Sequence, residues 1–439
     1  MKLNSNPELE SPSIILDEYA LGDQEEWNRR QRWLLFALVT PLLASTFLAK
    51  ISVPPLGGMG FGISMPLTLL ITALLACTSV FVVNTERLLL YTALIGTTGL
   101  VQAVQDARFS LNSFIFLAAF FAPFIFQFKP QQRAERVLGS LNAYYIFGQV
   151  ATCLAICGVV QYGAQFVIGA RYAFPIEFFL PDIFTVQGYN NLNPLSYRAN
   201  VFKANGVFML EPSTFSQITA LGLLFELSFW ARKSRLAIYI GALALTYSGT
   251  GILILIVGLG ALVVFNRRWD IILVGACAVG VLAIFAEPLN LNVFLNRATE
   301  VQSTGSSGFA RFGAWVYVFK EHWLVDPFRI LFGLGAGSFT KYSFMSQYVA
   351  AEMGFSKIFF EYGLIGGTIF FYFLIRLIFM SRLPIACSLG LCTMLFLNGA
   401  YSPTVMGIFT SVLLWPVFAP KLEKVDESIT AGPDKLPES

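Results

Sequence analysis

Charge is what this sequence has least of. Asp, Glu, Lys and Arg make up 13% of its 439 residues, about half the share in a soluble domain. Hydrophobic residues make up 56%. That balance excludes an ordinary soluble enzyme and predicts an all-α polytopic membrane protein. There is a single histidine, His322. No His, Asp or Glu cluster has metal-ligand spacing, so neither a metal nor a cofactor is expected. The cysteines Cys77, Cys153, Cys157, Cys277, Cys387 and Cys392 all lie inside apolar runs. With none in a polar loop, no disulfide framework is indicated. Cys153 and Cys157 sit one helical turn apart without His or Cys partners, and packing is the better reading. The cations are scattered at helix ends and form no basic stripe, which argues against nucleic acid. No cleavable signal peptide is visible either. Residues 1–32 are polar and acidic up to Arg29-Arg30-Gln31-Arg32, as in a disordered cytoplasmic tail.

What is abundant is apolar length. A membrane helix needs about 20 mostly apolar residues. Twelve such runs are legible, at about 33–49, 63–83, 88–105, 109–128, 141–163, 213–230, 235–247, 250–265, 271–286, 358–379, 384–399 and 404–420. The seventh and eighth are short and share the turn Tyr247-Ser-Gly-Thr-Gly251, so a hairpin with a submerged tip is one option. Basic clusters such as Ala-Arg-Lys-Ser-Arg235 and Asn-Arg-Arg268 mark the short inner loops. By the positive-inside rule both termini are then cytoplasmic. The expected organisation is a tail over 1–32, a transmembrane domain of about 12 helices over 33–420, and a disordered cytoplasmic tail over 421–439.

Two long loops, about 164–212 and 287–357, fall on the outer side. Loops of that length tend to be functional. The first ends in Lys203-Ala-Asn-Gly-Val-Phe-Met-Leu-Glu-Pro-Ser213, where a polar segment meets an apolar helix. Pro212 suits a first helical turn and Glu211 complements a helix dipole. Ionisable groups near a bilayer are also costly and mark sites, so a cap and a site both stay open. The second loop, between the ninth and tenth spans, holds an amphipathic stretch at Gly308–Val325, with Trp315, Val318, Phe319 and Trp323 near one face. Such a helix can lie in the interface plane. His322 falls in it, with an interfacial role favoured over catalysis. A turn with Gly333, Gly335 and Gly337 follows, then Glu361 at the outer end of the tenth span. Gly363, Gly366 and Gly367 beside it can let helices pack closely. Glu226, near the inner end of the sixth span, reads as structural. The outer-face candidates are Arg171, Arg198, Lys203, Glu211, Arg297, Arg311, Lys341, Glu352 and Glu361. Arginine grips phosphate in a bidentate way, and a carboxylate beside a hydroxyl can act as general base. The set suits an anionic, lipid-linked substrate.

Three motifs give a resemblance. Gly206-Val-Phe-Met-Leu-Glu-Pro-Ser213, Arg311-Phe-Gly-Ala-Trp315 followed by Phe332-Gly-Leu-Gly-Ala-Gly-Ser-Phe339, and Glu361-Tyr-Gly-Leu-Ile-Gly366 occur in this order. In these and in topology the chain resembles the O-antigen ligase and O-antigen polymerase superfamily of polytopic membrane glycosyltransferases. The resemblance implies an inner-membrane enzyme using an undecaprenyl-pyrophosphate-linked glycan donor by metal-independent inverting transfer. It implies Glu211 and Arg311 as catalytic, with Arg198, Lys203, Arg297, Gly333, Gly335, Gly337, Glu352 and Glu361 binding substrate. It also implies membrane lipids, a flippase and a chain-length regulator as partners. The chain departs from the ligases at Ala350-Ala-Glu-Met-Gly-Phe-Ser356, where they commonly carry a histidine. At Ser248-Gly249-Thr250 it lacks an arginine that many members have. The first departure favours a polymerase of O-antigen, capsule or exopolysaccharide repeat units. A glycan ligase is the alternative. A transporter or flippase of lipid-linked sugars is third, with no paired half-repeat or ionisable relay in its favour.

Overall fold

The computed structural model describes residues 32–33, 35–36, 38–56, 58, 61–77, 81–104, 110–128, 133–195, 199–284, 303–381, 383–398 and 404–416. The chain is mostly helical. Its elements run α1 (38–46), α2 (Ser64–Ala76), β1 (Phe81–Val83), α3 (Thr85–Val104), α4 (Leu111–Phe121), β2 (Phe126–Phe128) and α5 (Arg133–Val167). The short helices α6 (Ala170–Ala173) and α7 (Pro175–Phe179) come next. Then follow α8 (Pro212–Phe229), α9 (Lys233–Thr246), α10 (Gly249–Asn266) and α11 (Asp270–Ile284). The second long loop carries α12 (Ser307–Phe312), α13 (Trp315–Val318), α14 (Pro327–Phe332) and α15 (Ser338–Met345). The chain then continues through α16 (Gly354–Met380), α17 (Ile385–Leu397) and α18 (Thr404–Leu414).

Helical segments occupy all twelve apolar runs. Among the described residues, however, three are long and apolar enough to cross a membrane: Ala143–Val167 within α5, α10 and α16. Shorter apolar helices cover Ser64–Ala76, Leu111–Ile125 and Ile385–Leu397. Two runs are cut short because their ends pair as strands. β1 and β2 are antiparallel, with Phe81 opposite Phe128 and Val82 opposite Gln127, as suits aromatic and β-branched residues. Arg87 closes this end of the molecule. It is fully buried and donates to the carbonyls of Phe126 (2.8 Å) and Leu414 (2.9 Å).

The centre of the bundle is α8. From Thr214 to Glu226 every residue is buried, with α5, α9, α10 and α17 packed around it. Close backbone approach carries the packing, and small residues permit it. Glycine stands at each crossing. A Cβ at Gly158 would lie 2.3 Å from Phe215, one at Gly258 2.4 Å from Leu224, and one at Gly390 2.8 Å from Leu224. Gly251 presses on the Ser216 carbonyl, and Gly222 of α8 itself on Tyr239. The α9–α10 hairpin turns at Tyr247, whose φ is 47° and whose side chain is buried. Its hydroxyl lies 3.0 Å from that of Tyr162, so Tyr247 anchors the hairpin inside the protein while Gly249 at the tip is exposed. At the far end stands Glu226, in a structural role. It is buried and gripped by Arg232, at 2.7 Å from Nε and 2.8 Å from Nη2.

Neither long loop is structureless where it is described. The Gly308–Val325 stretch is helical in pieces: α12, α13 and a π-helical turn, Phe319–Trp323. Its stripe of Val318, Phe319 and Trp323 packs against Phe339 and Phe360. The face expected to meet the membrane interface is thus covered by the protein's own aromatic side chains.

The crowding around α8 gives a paired test. Gly258→Val in α10 drives a side chain into Leu224, and overpacking of this kind costs about 1–3 kcal/mol. A Cβ at Gly260 meets nothing within 4 Å, so Gly260→Val leaves stability nearly unchanged. Thermal unfolding of the two variants in detergent, read as Tm, checks this; equal losses would contradict the packing account.

Candidate functional site

The segment entering α8 is held by a buried polar knot. Gly206 (φ 68°) and Val207 (φ 69°) are both left-handed, an arrangement that a β-branched residue tolerates only when its surroundings impose it. Gln161 and Asn205 impose it. Gln161 Oε1 accepts from the Val207 N–H (3.1 Å) and the Asn205 N–H (3.0 Å), and Gln161 Nε2 donates to Asn205 Oδ1 (2.9 Å). Asn205 Nδ2 donates to Glu177 Oε1 (2.9 Å) and to the Asn191 carbonyl (2.9 Å). Lys50 completes the knot by donating to Glu177 and to the Val207 carbonyl. Burial pushes Lys50 down to about 8, against the upward pull of Glu177.

The knot delivers Glu211 to the N-cap position of α8, yet its side chain makes no cap hydrogen bond. It turns instead toward a cavity of about 1050 Å³. There Glu211 Oε2 accepts from the Ser213 hydroxyl (2.8 Å) and from Arg311 Nη2 (3.2 Å). Oε1 accepts from the Asn190 N–H (3.2 Å). Arg311 arrives on α12, 100 residues away in sequence.

A second ion pair stands on the same cavity wall. Glu352 accepts from Lys357 and from the Thr340 hydroxyl. Burial pushes the Glu352 carboxyl up, but Lys357 and Thr340 outweigh it and hold it below the usual carboxylate range. Behind the wall, fully buried Glu361 approaches the Lys357 ammonium at 3.9 Å. Lys357 is therefore shared between two carboxylates.

The remaining outer-face candidates fall elsewhere. Lys203 is buried beside the Pro194–Phe202 bridge and does not line the cavity. Gly333, Gly335 and Gly337 have φ values of 75°, 97° and 77° and form a turn against α16 rather than a cavity wall. Gly335 donates to the Glu361 carbonyl (2.9 Å) and Leu334 to that of Phe360 (2.9 Å). Those carbonyls are free to accept because α16 is broken at Gly363 (φ 67°, ψ −171°). A Cβ at Gly333 would strike the Gly363 nitrogen at 2.5 Å. The glycine turn thus fixes the start of α16, and with it Glu361 and Lys357. Arg198 and Arg297 lie outside the described residues.

Sequence reasoning did not single out Lys357, Gln217, Asn398 or Asn112, all of which line the cavity. Gln217 and Asn398 hydrogen-bond each other, Gln217 Nε2 to Asn398 Oδ1 at 3.2 Å. An amide inside an apolar run was a usable signal for Gln217. The four-residue spacing from Glu361 was one for Lys357.

The charged side chains on the wall are paired off, but the backbone is not neutral. Four helices begin at the cavity among the described residues: α4 brings Asn112 and Ser113, α8 Ser213 and Thr214, α10 Thr250, and α16 Met353 and Lys357. The short α15 lines it at both ends, with Thr340 and with Ser343 and Phe344, and α12 and α17 end there, with Arg311 and with Leu397 and Asn398. Helix N-termini carry a partial positive charge and favour anions. The wall also presents amides and hydroxyls beside Phe61, Phe116 and Tyr189, a surface suited to polyhydroxylated ligands.

Lys357→Met removes the cation shared by half-buried Glu352 and fully buried Glu361, and uncompensated buried charge costs about 3–5 kcal/mol. Glu361→Gln keeps the shape and leaves Lys357 its Glu352 partner. A larger loss of Tm for Lys357→Met than for Glu361→Gln is expected; equal losses would show that Lys357 does not balance both acids.

Compared with known proteins, the chain matches no protein-family model and no curated protein.

Proposed function

We propose that this chain is a membrane glycosyltransferase that polymerises lipid-linked oligosaccharide repeat units at the outer face of the inner membrane. The observation that carries the proposal is a cavity in which Glu211–Arg311 and Glu352–Lys357 meet four helix N-termini and a wall of amides and hydroxyls. A polyprenyl-pyrophosphate-linked glycan would present sugar hydroxyls to that wall and a diphosphate to Arg311, Lys357 and the helix N-termini.

In the proposed step an acceptor hydroxyl attacks the anomeric carbon of the donor sugar. A new C–O bond forms, the bond to pyrophosphate breaks, and the electron pair leaves on the phosphate oxygen. The proton passes to a carboxylate. Glu211 fits that role once the arriving diphosphate draws Arg311 away from it, because the carboxylate then regains accepting capacity beside the acceptor. Arg311 and Lys357 stabilise the charge that grows on the leaving group, an interaction strongest in the transition state. Ligase chemistry differs only in its acceptor.

The test is the glycan profile of a strain lacking this gene, with wild-type, Glu211→Gln and Arg311→Ala complementation. Lipid-linked material is resolved from finished polymer on a gel. Single repeat units without long polymer are expected in the deletion, and neither variant should restore polymer, although both reach the membrane. Removing one such transition-state contact costs roughly 100- to 1000-fold in rate. Long polymer stranded on the lipid carrier would mean ligase. An unchanged profile would overturn both in favour of transport.

A further inference from the structure

The segment after α5 is built inside out for a water-facing loop. Across residues 166–184 the charged Glu177 points inward, where it meets Lys50 and Asn205. Ala173 and Phe174 are buried beside it. Many of its apolar side chains point outward: Val167 is 85% exposed, Tyr172 62%, Phe179 52% and Ile183 59%, with Asp182 exposed between the last two. Arg171 lies over the Phe179 ring at 5.2 Å, so its guanidinium sits among the exposed aromatics. The segment is not loosely attached. Ser52 donates to the Phe184 carbonyl (2.8 Å), and Val186 to that of Lys50 (3.0 Å).

We infer that residues 166–184, with α6 and α7, form a shelf whose outward aromatic and aliphatic face rests in the interface of a lipid bilayer. The inference rests on the reading that α5 crosses that bilayer. Continuity selects the lipid as occupant. The exposed face of the shelf carries on from the exposed face of α5, through Val160, Phe166 and Val167, on a helix long and apolar enough to cross a membrane. Aromatic side chains with an accompanying cation are the composition that settles at the headgroup boundary. The shelf also has a use. Glu177 ties it to Lys50 and Asn205, the knot that holds Gly206 and Val207 ahead of Glu211. It therefore sets the depth of the cavity relative to the membrane surface, where a lipid-linked substrate must present its headgroup.

Photocrosslinking of the full chain in native membranes tests this. p-Benzoylphenylalanine is placed at Phe179 or Ile183, at Val160 as a control for α5, and at exposed Thr304 as an aqueous control. Adducts are identified by mass spectrometry after purification from the membrane fraction, with exposed Phe178 as a further probe site should one chain fail to accumulate. Phospholipid adducts at Phe179 and Ile183 are expected within about threefold of the Val160 yield, and about tenfold above Thr304. Lipid adducts at Val160 with none on the shelf would overturn the inference and leave the membrane reading of α5 standing. Adducts from Phe179 to a second copy or to another protein would also overturn it. No lipid adduct at Val160 would remove the shelf together with the membrane reading of α5.

Discussion

The cavity depends on a buried polar knot. Lys50, Gln161, Glu177 and Asn205 come from four separate parts of the chain and meet under the strained turn at Gly206 and Val207. Buried charge without a partner is costly, and the knot answers that by giving Lys50 and Glu177 each other and amide groups besides. The arrangement is stiff because each member has few alternatives. Gln161 alone holds two backbone N–H groups and one amide. Rigidity there becomes placement at Glu211, four residues beyond Val207. Pro212 and the crowded α8 fix the other side.

Two demands conflict in a site of the kind proposed, low in dielectric and open to an anion. Free cations would attract the ligand, yet unpaired cations in a low-dielectric setting are costly. This protein pairs Arg311 and Lys357 with carboxylates and draws the excess positive field from backbone dipoles, which need no counter-ion. The converging starts of α4, α8, α10 and α16 supply that field. In the proposed reaction a ligand oxyanion would displace a carboxylate from its cation, and that carboxylate would stay uncompensated until it took up a proton.

Much of the architecture was legible, for identifiable reasons. Each apolar run holds a helical segment because burial in a helix bundle and burial in lipid select the same residues, whereas α6, α7, α14 and α15 fall in stretches read as loops. Run length did not fix helix length. Phe81–Val83 and Phe126–Phe128 are as apolar as the helices they follow and pair as strands instead. Glu211 and Arg311 were legible as charges at the edges of apolar or aromatic stretches, while their contact, spanning 100 residues, was not. The glycine turn drew attention as a ligand cradle. Its positive φ values in fact serve a backbone-to-backbone contact with Gly363, and no local pattern distinguishes those two uses. Lys50, Glu177 and Gln161 carried no signal at all, because each is an ordinary residue whose meaning lies in a tertiary contact.

The same tertiary contacts join the two long loops into one device. The first loop brings Glu211 through the polar knot; the second brings Arg311 on α12 and, through Gly333, fixes the broken start of α16 that carries Lys357 and Glu361. Neither loop completes the cavity alone. A helix broken at Gly363 would be a liability in a purely structural bundle, since it forfeits regular backbone hydrogen bonds. Here the freed carbonyls of Phe360 and Glu361 accept from Leu334 and Gly335. The break is thus what locks the second loop to the bundle. Substitution at Gly363 would therefore act on the cavity from a distance, through the backbone, without touching any residue that lines it.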